Sequence, residues 1–162
     1  MMARIAKINK NDIVNGYGVC VSVFMQGCHF HCKGCFNAQT WDFNGGTEVT
    51  ADTIPFIIKA ISKNGIQRNF SVLGGEPLCP ENRNFVLELI QVVREAYPAI
   101  QIFLWTGYEL SELKEENDPI VDKVLSLVNT LITGRFVITE RDITLPLRGS
   151  RNQQILHKGE DF

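Results

Sequence analysis

The stretch that decides the fold is Val19-Cys20-Val21-Ser22-Val23-Phe24-Met25-Gln26-Gly27, followed by Cys28-His29-Phe30-His31-Cys32-Lys33-Gly34-Cys35. The first half is rich in valine and phenylalanine, stops at Gln26-Gly27 and reads as a buried strand over 19–25. The second half is a loop with three cysteines spaced C-x3-C-x2-C. In α/β folds, sites lie in such loops, at the carboxyl ends of parallel strands.

Further along the chain, strands and helices alternate. A helix is expected over 50–64, with Thr50 or Asp52 as N-cap, Pro55 in the first turn and Gly65 past its end. A strand over 69–73 stops at Gly74-Gly75. A longer helix over 81–97 repeats apolar residues (Phe85, Leu89, Val92, Val93, Ala96) at three- and four-residue steps before Pro98. A third strand over 100–105 ends at Thr106-Gly107, helices follow over 109–115 and 119–128, and a fourth strand over 130–133 ends at Gly134. The remainder is less regular. This alternation predicts an α/β fold. A closed eight-fold barrel needs upward of ~200 residues, and the chain has 162. The expectation is one domain over 1–162, built as a partial (β/α) barrel or open curved, mostly parallel sheet of four or five strands. The cysteine loop, residues 74–77 and residues 106–108 should converge on one face.

Composition narrows the function classes. Hydrophobic residues make up 44% and charged residues 21%, which suits a folded globular chain rather than a disordered or fibrous one. The net charge of −2 argues against a protein that grips nucleic acid through its phosphates. The longest apolar run, interrupted by Ser22, is far short of the ~18 residues of a membrane span. With no secretory signal expected at the start, the expected location is cytoplasmic.

The five cysteines are an odd number, which suits metal or redox chemistry in a reducing compartment better than a disulfide framework. Three thiolates this close can surround one centre if the backbone folds tightly, as Gly27 and Gly34 permit. Iron–sulfur clusters ordinarily take four cysteines. Three leave one iron of a four-iron cluster open for chemistry. Structural zinc with His29 or His31 as fourth ligand, and unligated cysteines, are the alternatives. Cys20, within the first strand, reads as a small buried hydrophobe. Cys79 reads as structural, close to the site.

The C-x3-C-x2-C spacing after a strand resembles the radical S-adenosylmethionine superfamily, and Gly74-Gly75-Glu76-Pro77 looks like that superfamily's second-strand motif. Two glycines let backbone approach a ligand, and a carboxylate suits an ammonium. More closely, the chain resembles the family of activating proteins of anaerobic ribonucleoside-triphosphate reductases. Asp12-Ile13-Val14-Asn15-Gly16, residues 27–37 with Trp41, residues 74–78 with Pro80 and Asn82, Trp105-Thr106-Gly107-Tyr108, and Arg148-Gly149-Ser150 with Asn152-Gln153 carry the likeness, in order, over nearly the whole chain.

The resemblance implies a [4Fe–4S] cluster on Cys28, Cys32 and Cys35, and S-adenosyl-L-methionine bound near Gly74, Gly75, Glu76, Cys35, Phe36, Asn37 and Thr106. The implied reaction is reductive cleavage of that cofactor to a 5′-deoxyadenosyl radical. The radical then takes a hydrogen from a glycine of the reductase large subunit, leaving a glycyl radical. A flavodoxin-like protein is the implied electron donor, and no nucleic acid or membrane partner is implied. Where many superfamily members carry an aromatic residue before the third cysteine, this chain has Gly34, with Phe36 after it. Thr133 stands where activases more often have Asp.

The alternatives are a pyruvate formate-lyase-type activase, a 7-carboxy-7-deazaguanine synthase, or, in a different class, a non-catalytic iron–sulfur or zinc module. The segments at 105–108 and 148–153 favour the reductase activase, and Glu76 argues against a mere electron carrier. Trp105 and Tyr108 fit core, adenine contact or partner surface. Trp41 and Tyr108 are expected docking anchors. Arg148, Ser150 and Asn152 read as a solvated tail or as cofactor or partner contacts. Lys33 is expected to face solvent, and Asn15-Gly16 to form a turn.

Overall fold

The computed structural model describes residues 2–162. In chain order the elements are β1 (Arg4–Asp12), β2 (Cys20–Met25), β3 (Thr47–Glu48), α1 (Thr53–Ile61), β4 (Asn69–Gly74), α2 (Arg83–Ala96), β5 (Ile102–Thr106), α3 (Leu110–Glu115), α4 (Pro119–Leu127), β6 (Thr130–Thr133) and β7 (Gln154–His157). They form one open seven-stranded sheet in the order β3-β1-β2-β4-β5-β6-β7. The four central strands, β2, β4, β5 and β6, run parallel, and β1, β3 and β7 join antiparallel at the sides. The α/β class and the open sheet agree with the sequence reading. The strand number does not, because β1, β3 and β7 had left no clear signal. β1 carries register shifts between Ile5 and Lys7 and between Asn9 and Asp12, which break the period-two pattern that marks a strand. β7 has four residues and β3 two, both exposed or half-buried.

The helices cover one face of the sheet. Val21, Val23 and Met25 of β2, Phe70 and Val72 of β4, and Ile102 and Leu104 of β5 meet Ile57 of α1, Leu89 and Val93 of α2, and Val121 and Val124 of α4 in one buried cluster. β2 is buried on both faces, which is why it reads as an unbroken apolar run. Local chemistry sets the helix starts. Asp118 accepts a hydrogen bond from the Ile120 amide at 2.8 Å, with Pro119 as first helical residue of α4, and Glu109 and Glu112 form a capping box on α3. α1 is shorter than expected: Asn64 adopts φ 59° in the 3₁₀ turn that follows, which an α-helix cannot include.

The opposite face is covered by two irregular segments. Residues 12–18 cross one end, where Ser71 Oγ donates to the Asn15 carbonyl at 2.6 Å and Tyr17 packs edge-on against Phe103. Asp12 shapes this turn by accepting from the Val14 and Asn15 amides at 2.8 and 3.0 Å. Residues 141–149 cross the other end, where Trp105 Nε1 donates to the Leu147 carbonyl at 2.7 Å. Among the described residues no helix is long and apolar enough to cross a membrane.

Candidate metal and cofactor site

Because β2, β4, β5 and β6 are parallel, the loops that leave them open at the same edge of the sheet. These loops enclose a cavity of about 120 Å³ lined by Cys28, Cys32, Cys35, Gly75, Glu76, Thr106, Gly107, Arg135, Phe30, Trp41, Phe136 and neighbouring side chains. The convergence expected from the sequence is thus present, with the loop after β6 as a fourth contributor.

The cysteine loop is held at both ends. The Gly27 and Cys28 amides donate to the carbonyls of Thr40 and Trp41 at 2.6 and 3.2 Å, and the Cys35 amide donates to the Cys32 carbonyl at 3.1 Å. Gly27 has φ 104°, and a Cβ there would lie 2.3 Å from the Phe43 ring, so glycine is required. The Asn37 backbone N–H donates to the Cys35 sulfur at 3.4 Å, and the backbone amides of Phe30 and His31 favour the thiolate form of Cys28 as that of Phe136 favours the thiolate of Cys32. Such donors favour a thiolate and tune the potential of a bound cluster. Without a metal, burial pushes the Cys28 and Cys32 thiols up.

The donor set fits a cluster. Among the described residues no three His, Cys, Asp or Glu side chains stand close enough to hold a single ion. Three thiols lining one cavity suit a centre in which each has its own iron. The histidines are otherwise engaged. His29 Nε2 lies 2.8 Å from Glu81 Oε1, and His31 stacks on Trp41 with ring centroids 4.6 Å apart.

The second wall is the loop after β4. Its Gly75 and Glu76 amides donate to the carbonyls of Met25 and Gly27, both at 2.8 Å. A Cβ on Gly75 would lie 2.4 Å from the Gly27 carbonyl oxygen, so the loop can come this close only as glycine. Glu76 is buried. Its Oε1 accepts from Thr106 Oγ1 at 2.7 Å and the Leu78 amide at 2.9 Å, and its Oε2 accepts from the Gly107 amide at 2.7 Å. Burial pushes this carboxyl up to about 7, against the pull of those three donors.

A model for a 4Fe-4S single cluster domain matches residues 14–156. The anaerobic ribonucleoside-triphosphate reductase-activating protein of Escherichia coli K12 is 40% identical over 147 residues, which are 90% of this chain and 93% of that one. The proteins of the same name from Vibrio cholerae and from Enterobacteria phage T4 are 36% and 35% identical, over 91% and 89% of this chain and 92% and 87% of theirs. The chain belongs to the family of anaerobic ribonucleoside-triphosphate reductase-activating proteins.

Within this activase fold the expected site residues divide. Cys28, Cys32, Cys35, Gly75, Glu76 and Thr106 line one cavity. Gly74 sits behind it, paired with Met25 at the end of β4. Phe36 and Asn37 line a neighbouring groove instead. Phe36 is exposed and packs against Phe136, with the Arg141 guanidinium 5.2 Å over its ring. Asn37 reaches the site through its amide. The Thr106 hydroxyl is bound to Glu76, so it acts as the partner of that carboxylate. Cys20 and Cys79 are buried outside the cavity lining, and burial pushes the Cys79 thiol up to about 12.

Sequence reasoning missed Arg135. It follows Gly134 at the end of β6, lies over the Phe30 ring at 4.3 Å and donates to Glu112 at 2.7 and 2.9 Å. Its signal was positional: a cation just past a strand end. The 148–153 segment is no loose tail. Asn152 Nδ2 donates to the Arg135 carbonyl at 2.8 Å and Gln153 Nε2 to that of Gly134 at 2.9 Å, so the segment shapes the loop that carries Arg135. The Val137 amide donates to Ser150 Oγ at 3.2 Å, and Arg148 donates to the Gln153 carbonyl at 3.0 Å.

Proposed function

We propose that the protein activates an anaerobic ribonucleoside-triphosphate reductase by creating a glycyl radical in its large subunit, with S-adenosyl-L-methionine as cofactor and a flavodoxin-like protein as electron donor. The observation that carries this reading is the Glu76 carboxylate on the same small cavity as the three cysteine thiols. A [4Fe–4S] cluster held by Cys28, Cys32 and Cys35 would supply the electron that breaks the sulfonium C–S bond, and the 5′-deoxyadenosyl radical so released would take the glycine hydrogen.

The chain's own residues bind and orient. Glu76 would receive the cofactor's ammonium, held in place by Thr106, Gly107 and Leu78. Arg135, which lines the same cavity, would meet its carboxylate, so that one acid and one base would bracket an amino-acid zwitterion. Phe30, Trp41 and Phe136 restrict water around the reacting atoms.

Beside this cavity a groove of about 790 Å³ runs along the helix-free face of the sheet and shares Cys35, Trp105, Phe136 and Gln153 with it. Its rim carries the exposed apolar residues Val14, Phe36 and Ile143, which suits entry of a protein loop bearing the target glycine. Trp41 and Tyr108, the expected anchors, are half-buried, Trp41 under His31 and Tyr108 against Phe30.

The test is anaerobic reconstitution with iron and sulfide, reduction, and addition of S-adenosylmethionine and the reductase. Electron paramagnetic resonance should reveal a glycyl radical, and 5′-deoxyadenosine should accumulate. Cofactor cleavage without a radical on the reductase would overturn the assignment of partner.

A further inference from the structure

Asn82 is the N-cap residue of α2, yet its side chain makes no capping bond. It is buried. The amide nitrogen instead donates both its hydrogens to carbonyls, that of Gln26 at 3.1 Å and that of Glu76 at 3.0 Å. Two carbonyl partners settle which end of the amide faces them, because only the NH₂ group can satisfy both. Gln26 stands two residues before Cys28, and Glu76 is the carboxylate of the second wall. An asparagine at a helix start is ordinarily explained by capping. Here that explanation fails, and the side chain ties the cysteine loop to the loop after β4.

We propose that Asn82 is a positioning residue that fixes the separation of Cys28 from Glu76 and so couples cofactor binding at Glu76 to the cluster. This rests on the reading of Glu76 given above. The two loops already meet through the Gly75 and Glu76 amides, which donate to Met25 and Gly27. Such contacts form only if the loops sit at the right height. Asn82 supplies that height from a third element, the start of α2, which the core anchors through Val86 and Leu89. Adjacent Arg83 supports the same loop, with Nε and Nη2 donating to the Leu78 carbonyl at 2.9 and 2.7 Å. A binding group held to within fractions of an ångström by such supports loses little on contact with its ligand.

The test compares wild type with Asn82→Ala and Asn82→Ser in the anaerobically reconstituted protein. Serine retains a good helix N-cap but is too short to span both carbonyls, so it separates capping from tying. Amide hydrogen exchange should accelerate about ten-fold at Gly75 and Glu76 in both variants, the scale on which loss of a buried hydrogen bond acts. Exchange within α2 should be unchanged. Iron content per chain should equal that of wild type. The affinity for S-adenosylmethionine should fall about ten-fold, and the change this cofactor produces in the resonance of the reduced cluster should shrink. Unchanged exchange at Gly75 and Glu76, or faster exchange spread along α2, would overturn the proposal. So would altered exchange there with wild-type cofactor affinity and resonance. If wild type itself neither binds nor responds to S-adenosylmethionine, the reading of Glu76 fails, and the coupling to the cofactor fails with it. The exchange arm then reports separately on whether Asn82 ties the two loops.

Discussion

Thr106 Oγ1 lies 2.7 Å from Glu76 Oε1, so the end of β5 holds the carboxylate that leaves the end of β4. Together with the Gly107 amide, it fixes Glu76 in a buried position where a free carboxylate would be costly. The arrangement makes sense if a cation completes it.

Glu76→Gln keeps the side chain's size and removes the charge. A charge-assisted hydrogen bond contributes roughly 1.5–3 kcal/mol, so S-adenosylmethionine should bind about ten- to hundred-fold more weakly. Iron content should be unaffected. Equilibrium dialysis on the reconstituted variant measures this, and wild-type affinity would remove Glu76 from the cofactor site.

Replacing Cys28, Cys32 or Cys35 by Ala should abolish the visible absorption of the reconstituted cluster and the production of 5′-deoxyadenosine. Cys20→Ala and Cys79→Ala should retain both, since neither thiol lines the cavity. Loss of the cluster in a folded Cys79→Ala protein would contradict the three-ligand model.

The raised Glu76 carboxyl predicts a pH dependence of stability in the ligand-free protein. Its folded value, about 7, exceeds the unfolded 4.5. Between these values the folded state binds the extra proton, so this group's contribution is fully present below about pH 4.5 and is lost as pH rises through 7. Urea unfolding at pH 5 and pH 8 should show a larger decline for wild type than for Glu76→Gln. Equal declines would mean that Glu76 ionises normally.

Ile143 is 79% exposed on the rim of the groove and far in sequence from the cysteines. Ile143→Glu should therefore leave cofactor binding intact and reduce glycyl radical formation on the reductase, about ten-fold or more if it is an interface anchor. Hydrogen exchange with the reductase present should show protection at residues 12–17 and 141–149. Protection confined to the helix-covered face would contradict docking at the groove.

Much of this protein was legible in its sequence because the signals were local. Cysteines spaced by three and two residues stay close together in any fold, and the preceding strand with Gly27 and Gly34 points to a loop. The apolar run at 19–25 reads as a buried strand, since it is short for a buried helix and is stopped by glycine, and the structure forms that strand over Cys20–Met25. Gly74-Gly75-Glu76 behind a strand marks a backbone that comes close to something. These stretches, with the strand–helix alternation, were sufficient for the α/β class, the open sheet and the convergence of the strand ends.

Only the tertiary structure decided what each side chain meets. β1 escaped notice because its bulges disrupt alternation, and the bulges have meaning only against β2. Arg135 joined the site because β6 lies beside β5, a neighbour set by the sheet order. Asn82 falls inside the helix expected over 81–97, whereas the structure sets it at the helix start with its side chain turned to the carbonyls of Gln26 and Glu76, 56 and 6 residues away. A sequence states which donors and acceptors exist. Which pairs satisfy one another in a buried site depends on the packing of distant strands, because a buried polar group takes whatever partner the fold brings within 3 Å or so.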